Sequence, residues 1–409
     1  MTTASPAWGV LRHRDFRWFY IAQFISLIGS SMQLAAVNWH VWTLTRDELA
    51  LGLVGLVRVL PIIAFALAGG VIADSFDRRK LQIITQTGML VAAAAMGIAT
   101  LMGQASLPII YGATALIAGM VAFDQPARRA MMVALVPPER IGDVGRVNVI
   151  LFTVTSVLGP AIAGAALAQF GPGIAYLLNG LSFLPVVLVL FFVHPRPSDT
   201  PASRPSFGAM VEGLRFVWGQ PVLRATMLLD FLATFFSSAL TLLPVYATDV
   251  LQVDELGYGI LFAAPAIGAA IGSVAMAQIG SRLKQPGRVM LWAVGGYGAA
   301  TVLFGFSSVF ALSMLTLALT GLMDAISTGI RSPMRDLLTP DHMRGRTIGV
   351  NMIFFMGGPQ LGEFEAGVMA RAFGAPFSVI SGGLATIIIT GLIALKVPAL
   401  QTYREQVTH

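Results

Sequence analysis

The chain has 409 residues, of which 56% are apolar and only 11% charged. Soluble globular proteins carry about 25% charged residues, so the composition excludes an ordinary soluble enzyme. Cysteine is absent, which removes disulfide scaffolds and thiolate metal or redox sites. The formal net charge of +6 comes from basic residues scattered in small groups between long apolar runs, the pattern of a polytopic membrane protein rather than of a nucleic-acid binder.

A membrane-spanning helix needs roughly 20 mostly apolar residues, and the chain divides on that measure. Span 1 covers Trp18 to Thr45, where no Asp, Glu, Lys or Arg appears. It is too long for the core of a cleavable signal and lacks an early small-residue cleavage site. Span 2 runs from about Leu49 to Ala73 and carries one charge, Arg58. The 43 uncharged residues between Lys80 and Asp124 are divided into spans 3 and 4 by the turn Gly103-Gln104-Ala105-Ser106-Leu107-Pro108. The 49 between Arg146 and Arg196 are divided into spans 5 and 6 at Gly171-Pro172-Gly173.

The stretch His194 to Pro221 holds Pro195, Pro197, Pro201 and Pro205 and reads as an extended linker. It ends in Phe207, Met210, Val211, Leu214 and Trp218, apolar residues on one helical face, which suggests a helix lying in the membrane interface. Span 7 is expected over Val222 to Ala247 and span 8 over Leu256 to Gly280. Spans 9 and 10 fill Val289 to Ile330 with a turn near Phe306-Ser307-Ser308. Span 11 covers Thr347 to Ala370 and span 12 Pro376 to Ala394. The expected fold is an all-α membrane protein of twelve helices. Residues 1–193 and 222–409 each form a six-helix bundle, joined by a linker over 194–221.

Orientation follows from the basic residues. With a cytoplasmic N-terminus the inner segments hold 23 Lys and Arg, the outer loops only Arg46 and Arg371, and Arg58 lies within the membrane. The positive-inside rule then places both termini in the cytoplasm. An internal repeat supports two related halves. Pro126-Ala127-Arg128, Val136-Pro137-Pro138, Arg146, Asn148 and Gly159-Pro160 are matched in order by Pro333-Met334-Arg335, Thr339-Pro340, Arg346, Asn351 and Gly358-Pro359. Duplicated halves of this kind mark a transporter fold.

Between spans 2 and 3 the chain reads Gly70-Val-Ile-Ala73-Asp74-Ser75-Phe76-Asp77-Arg78-Arg79-Lys80. This resembles the loop motif of the major facilitator superfamily, with Ser75 where Arg is usual and Asp77 where Gly is usual. The matching loop of the second half retains only Gly272, Ala277, Gly280, Arg282 and Lys284. Pro126-Ala-Arg128 and Gly362-Glu363-Phe364-Glu365 are similar to a drug:proton antiporter branch that includes bacterial enterobactin exporters. Gly159-Pro160 followed by Gly164 is similar to a shortened antiporter motif, where small residues allow close helix approach.

The resemblance implies that spans 3, 6, 9 and 12 are outer supports while the other eight border a central cavity. The intramembrane charges Arg58, Asp230, Asp324, Glu363 and Glu365 all fall on that second set. A charge in hydrocarbon costs about 2.5 to 3.5 kcal/mol even on a lenient scale, so these residues are candidates for substrate or proton binding or for pairing with one another. Glu363 and Glu365, two apart on a helix, point to nearly opposite faces. Low dielectric disfavours a bare carboxylate, which allows proton-coupled antiport through Asp230, Glu363 or Glu365. Arg58 is either an anion-binding residue or a partner for one of these acids.

The resemblance further implies a cytoplasmic gate of Asp74, Arg78, Asp124 and Arg346, with Arg79 beside it. The bland reading of Arg78, Arg79 and Lys80 is topological anchoring. Trp39, His40 and Trp42 fit an aromatic belt at the outer end of span 1. No phosphate-binding loop, catalytic triad or metal-ligand set occurs in the sequence, so neither enzyme nor cofactor is expected. The expected work is export of an amphipathic small molecule, a drug or siderophore, across the bacterial inner membrane by a monomer exchanging it for protons. A facilitative carrier, an importer or a lysophospholipid flippase of the same fold is the first alternative, and a transport-inactive receptor or scaffold the second.

Overall fold

The computed structural model describes residues 7–75, 77–196 and 207–403. Among them the regular structure is helical throughout. The helices are α1 (Arg14–Thr45), α2 (Glu48–Ser75), α3 (Arg78–Leu101), α4 (Leu107–Ala134) and α5 (Ile141–Phe192), then α6 (Phe207–Gly219) and α7 (Pro221–Phe236). They continue with α8 (Glu255–Ile279), α9 (Pro286–Phe306), α10 (Phe310–Leu338), α11 (Arg344–Phe373) and α12 (Ala375–Lys396).

Ten described segments are long and apolar enough to cross a bilayer. One of these, Pro138–Phe192, has 55 residues, which at 1.5 Å per residue is enough for two passes. It turns at Gly171, whose φ of 73° and ψ of 178° are strained for a side chain but open to glycine. Spans 5 and 6 are therefore the two arms of α5. The 30-residue α11 is long enough to cross, but its own acids and arginines hold its hydropathy down. With it the twelve expected spans are present, and α7 to α12 carry spans 7 to 12.

The chain forms two compact units. One comprises Met1–Leu44 with Leu60–Pro205, the other Thr45–Val59 with Ser206–His409. The first half of α2 thus belongs with the second unit, and the helix changes unit next to an internal proline, Pro61.

In the first unit the exposed and buried faces are inverted relative to a soluble protein. On α3 the exposed residues Ile84, Val91 and Ile98 recur every seven positions, whereas Thr85 and Gln86 are buried and donate to the Asp124 carboxylate. That is the polarity expected where the outside is hydrocarbon and polar groups must find partners within. Phe16, Phe19, Met131, Val147, Val186 and Leu190 join α1, α4 and both arms of α5 in one core. Among lipid-embedded helices such contacts stabilise through packing rather than through removal from water. Asp77, where the superfamily motif has glycine, caps α3. Its carboxylate accepts from the Arg79 amide at 2.8 Å and the Lys80 amide at 3.2 Å.

The second unit departs from expectation at span 7. Instead of one helix to Ala247, α7 stops at Phe236. Ser237 and Ser238 leave helical geometry, and short turns over Ala239–Leu242 and Tyr246–Val250 complete the crossing. The two serines find tertiary partners through their hydroxyls and, at Ser237, the backbone carbonyl, as a break inside a bilayer requires. The Ser237 hydroxyl lies 2.8 Å from that of Thr386, the Ser238 hydroxyl donates to the Pro359 carbonyl at 3.2 Å, and the Tyr297 hydroxyl donates to the Ser237 carbonyl at 3.2 Å.

The short α6 follows the linker, whose residues 197–206 lie outside those described, as do the side chains of Phe207 and Met210. Val211, Leu214 and Trp218 form an exposed apolar stripe, while Val217 is buried against Leu223, Met227 and Val350. The aromatic belt expected at the end of span 1 is not what the side chains do. Trp39, His40 and Trp42 are all buried, and His40 Nδ1 lies 3.1 Å from the Tyr176 hydroxyl.

Candidate functional site

Among the described residues each unit buries two charges, and in the second unit they form an ion pair. On α7, Asp230 is 5% exposed and meets Arg331 of α10 through an ion pair of 2.8 Å. Arg331 is 6% exposed and is held further by the hydroxyls of Ser327 at 3.4 Å and Thr328 at 3.0 Å, one turn back on its own helix. Asp230 and Arg331 line an open pocket with Asp324, Thr234, Tyr297 and Met323. Asp324 is exposed there, and among the described residues it has neither a hydrogen bond nor an ion pair. Sequence reasoning missed Arg331, because span 10 was expected to end at Ile330 whereas α10 continues to Leu338. The repeat register held the signal: Arg331 precedes Pro333 by two, as Asp124 precedes Pro126.

A second pair joins α2 to α11. Arg58 lies 3.3 Å from Glu363 Oε1 and 3.4 Å from Oε2, with both side chains mostly buried. The helices meet closely there. A methyl on Gly52 would come within 2.9 Å of the Gly367 Cα, and one on Gly55 within 2.6 Å of the Glu363 Cβ. This is the small-residue approach that bilayer helices use. Glu365, on the other side of α11, is partly buried and has no ion-pair partner among the described residues. Two further pairs are exposed: Arg46, in the turn before α2, with Asp249 of the turn Tyr246–Val250 at 3.1 Å, and Asp47, next to Arg46, with Arg371 near the end of α11 at 3.2 Å.

The residues expected at the gate have different partners. Asp124 is buried in the first unit, where its carboxylate accepts from Thr85 Oγ1 at 3.1 Å and Gln86 Nε2 at 3.0 Å. One turn on, the buried Arg128 lies 5.0 Å from the centre of the Phe152 ring. Arg346, in the second unit, pairs with Glu212 of α6. Arg79 donates to the Phe191 carbonyl at 2.8 Å. Arg78 opens α3, and Asp74 belongs to α2 but its side chain lies outside those described. In the packing motif Gly159 presses on α1, where a methyl would lie 2.9 Å from the Ile28 carbonyl oxygen. Pro160 and Gly164 are buried in α5. Among the described residues no group of three His, Cys, Asp or Glu could hold a metal ion.

Residues 5–408 match the transmembrane secretion effector family of the major facilitator superfamily. The chain belongs to this family. Among curated relatives in the superfamily, the enterobactin exporter EntS of Salmonella choleraesuis is 26% identical over 398 residues, covering 96% of this chain and 94% of the relative. The EntS protein of Escherichia coli is 26% identical over 394 residues with the same coverage. A crystal structure of a bacterial homologue of the lysosomal transporter Spinster has a TM-score of 0.77 at 14% identity, covering 99% of this chain and all of that one. The nucleoside transporter NupG gives 0.76 at 11% identity, with 95% and 100% covered. At such identities these two structures speak for the fold alone. The superfamily, the relatives and the fold agree on a multi-pass membrane transporter for small molecules, and not on an enzyme.

Proposed function

We propose that this transporter is a secondary active exporter of amphipathic small molecules, drugs or siderophores, driven by proton antiport through alternating access. The observation that carries the reading is the set of charges inside the spanning helices. Asp230–Arg331 and Arg58–Glu363 form ion pairs at 2.8 and 3.3 Å, while Asp324 and Glu365 have no ion-pair partner among the described residues. Such charges are expensive in hydrocarbon and are retained where they serve a substrate or proton pathway. Protonating the carboxylate of either pair would release its arginine, which couples proton uptake to a change in helix packing. The direction, outward, rests on relatives named as enterobactin exporters.

In this reading residues 1–193 and 222–409 are the two rocking bundles, linked by 194–221. Both termini face the cytoplasm of a bacterial cell whose inner membrane holds the protein as a monomer. Asp74, Arg78, Arg79, Asp124 and Arg346 form the cytoplasmic gate, whose carboxylate–guanidinium pairs form and separate during the cycle. Gly159, Pro160 and Gly164 keep the first bundle tightly packed.

Proton flux in proteoliposomes tests the proposal, with a pH-sensitive dye and a panel of lipophilic cations and siderophores. Substrate-triggered proton movement, abolished in Asp230→Asn or Glu363→Gln, is the expected result. Substrate movement without protons would replace antiport by facilitated passage.

A further inference from the structure

The N-terminal end of α1 carries positive charge that the fold does not use. Arg12, Arg14 and Arg17 are exposed, and among the described residues none of them has an ion pair or a side-chain hydrogen bond. Asp15 is the one acid in their midst, and its carboxylate already accepts from the His194 amide at 3.1 Å. Other arginines at this end of the first unit are occupied. Arg79 donates to the Phe191 carbonyl, Arg196 to the Val136 carbonyl at 3.4 Å, and Arg140 pairs with Asp143 at 3.1 Å. The free arginines stand at the end of an apolar stripe. Arg14, Trp18, Ile21 and Ile25 follow at intervals of four, three and four, which is one face of a helix, and the three apolar ones are exposed. The Asp15–His194 bond ties this end of α1 to the end of α5, where Leu188, Phe191 and Phe192 are exposed as well. Buried Val10 anchors the turn Ala7–Arg12, which fixes Arg12 and the exposed Trp8 beside them.

We infer that this end of α1 is a binding site for an anionic phospholipid. Arg14 and Arg17 take the phosphate, Arg12 stands at the rim, and the acyl chains lie on Trp18, Ile21 and Ile25. A guanidinium fork matches two oxygens of a phosphodiester, and an indole settles at headgroup level. A zwitterionic lipid brings its own ammonium group to the same place, where free arginines repel it. The positive-inside rule asks only for basic charge on this side of the membrane. A site asks for it at these positions, so charge removed here and charge removed elsewhere on the same side have different effects. The inference stands apart from the antiport reading, since none of these residues belongs to the charged pairs within the spans.

The test titrates the purified full chain with phosphatidylglycerol and, separately, with phosphatidylcholine of the same chains, reading bound lipid by native mass spectrometry. Wild type should favour phosphatidylglycerol by at least about 10-fold. A basic residue at an anionic lipid surface is worth about five-fold in affinity. The double variant Arg14→Gln with Arg17→Gln should therefore lose roughly 10- to 30-fold for phosphatidylglycerol and nothing for phosphatidylcholine. Both side chains are exposed and without partners, so folding is expected to survive. The control Arg129→Gln with Arg146→Gln removes two exposed charges from the same end of the unit and should keep the preference. In vesicles, brominated phosphatidylglycerol should quench tryptophan fluorescence more than brominated phosphatidylcholine, and Trp18→Phe should remove most of that excess. Equal binding of the two lipids by wild type overturns the inference, as does an equal loss in the two double variants, which would reduce the effect to general surface charge. Displacement of the lipid by an equal concentration of glycerol 3-phosphate would make this a site for soluble phosphates and overturn the lipid assignment.

Discussion

Replacing Asp230 by alanine should strand a guanidinium inside the second unit. The pair is 2.8 Å long, with side-chain exposures of 6% for Asp230 and 7% for Arg331. At an effective dielectric of about 20, attraction at that distance amounts to about 6 kcal/mol. Removing each ion from water costs several kcal/mol, so the intact pair adds little net stability. A lone Arg331 has no such offset, and breaking a buried pair from one side costs about 3–5 kcal/mol. Ser327 and Thr328 still hold the guanidinium, which places the expected loss near the lower end. Replacing both residues, Asp230→Ala with Arg331→Met, removes the stranded charge and should recover most of it. Equilibrium unfolding in mixed detergent micelles would measure the four corners of the cycle. A coupling of at least about 2 kcal/mol is expected. Additivity within about 0.5 kcal/mol would refute the argument that these two charges are held for one another. The exposed pair Arg46–Asp249, with side chains 57% and 50% accessible, is the control and should show no more than about 1 kcal/mol.

Other perturbations probe separate features. Gly52→Val should force α2 from α11, costing about 1–3 kcal/mol through overpacking; an unchanged melting temperature would count against the close approach. Asp77→Ala removes the acceptor for two backbone amides and should cost about 1 kcal/mol, whereas Asp77→Gly should cost only a few tenths, as thermal unfolding of the two variants would show. Glu363→Gln should break the proton stoichiometry measured per substrate molecule, and unchanged proton uptake would move the coupling group elsewhere. Asp74→Asn should slow turnover while leaving ligand binding largely intact; lost binding with normal turnover per bound substrate would remove Asp74 from the gate.

The spans were legible because hydrocarbon imposes a length and a composition that a run such as Leu81 to Phe123 displays openly. Even the divided α5 could be read from Gly171-Pro172-Gly173. The break in α7 could not. Thr234-Phe-Phe-Ser-Ser-Ala-Leu-Thr reads as a continuous apolar run, and the break at Ser237 and Ser238 is held by Thr386, Tyr297 and Pro359, more than 50 residues away. The charges Arg58, Asp230 and Glu363 were found by their rarity, but their pairing was not. Arg58 and Glu363 are 305 positions apart, and only tertiary packing sets such a distance. Arg331 was hidden for a different reason: an arginine at the edge of a span reads as a membrane anchor, and only its burial identifies it as part of the interior.

The early stop of α7 has an electrical consequence. Sixteen residues of helix align their peptide dipoles, and a helix that ends inside the bilayer leaves the negative pole of that macrodipole there, equivalent to roughly half an elementary charge. In water the pole would be screened; in hydrocarbon it is not. Asp230 lies six positions before this terminus, about 9 Å at helical rise. The field of the backbone therefore reinforces that of the carboxylates. A substitution that mended the helix at Ser237 and Ser238 would change the potential felt in the pocket without altering a single ionisable group.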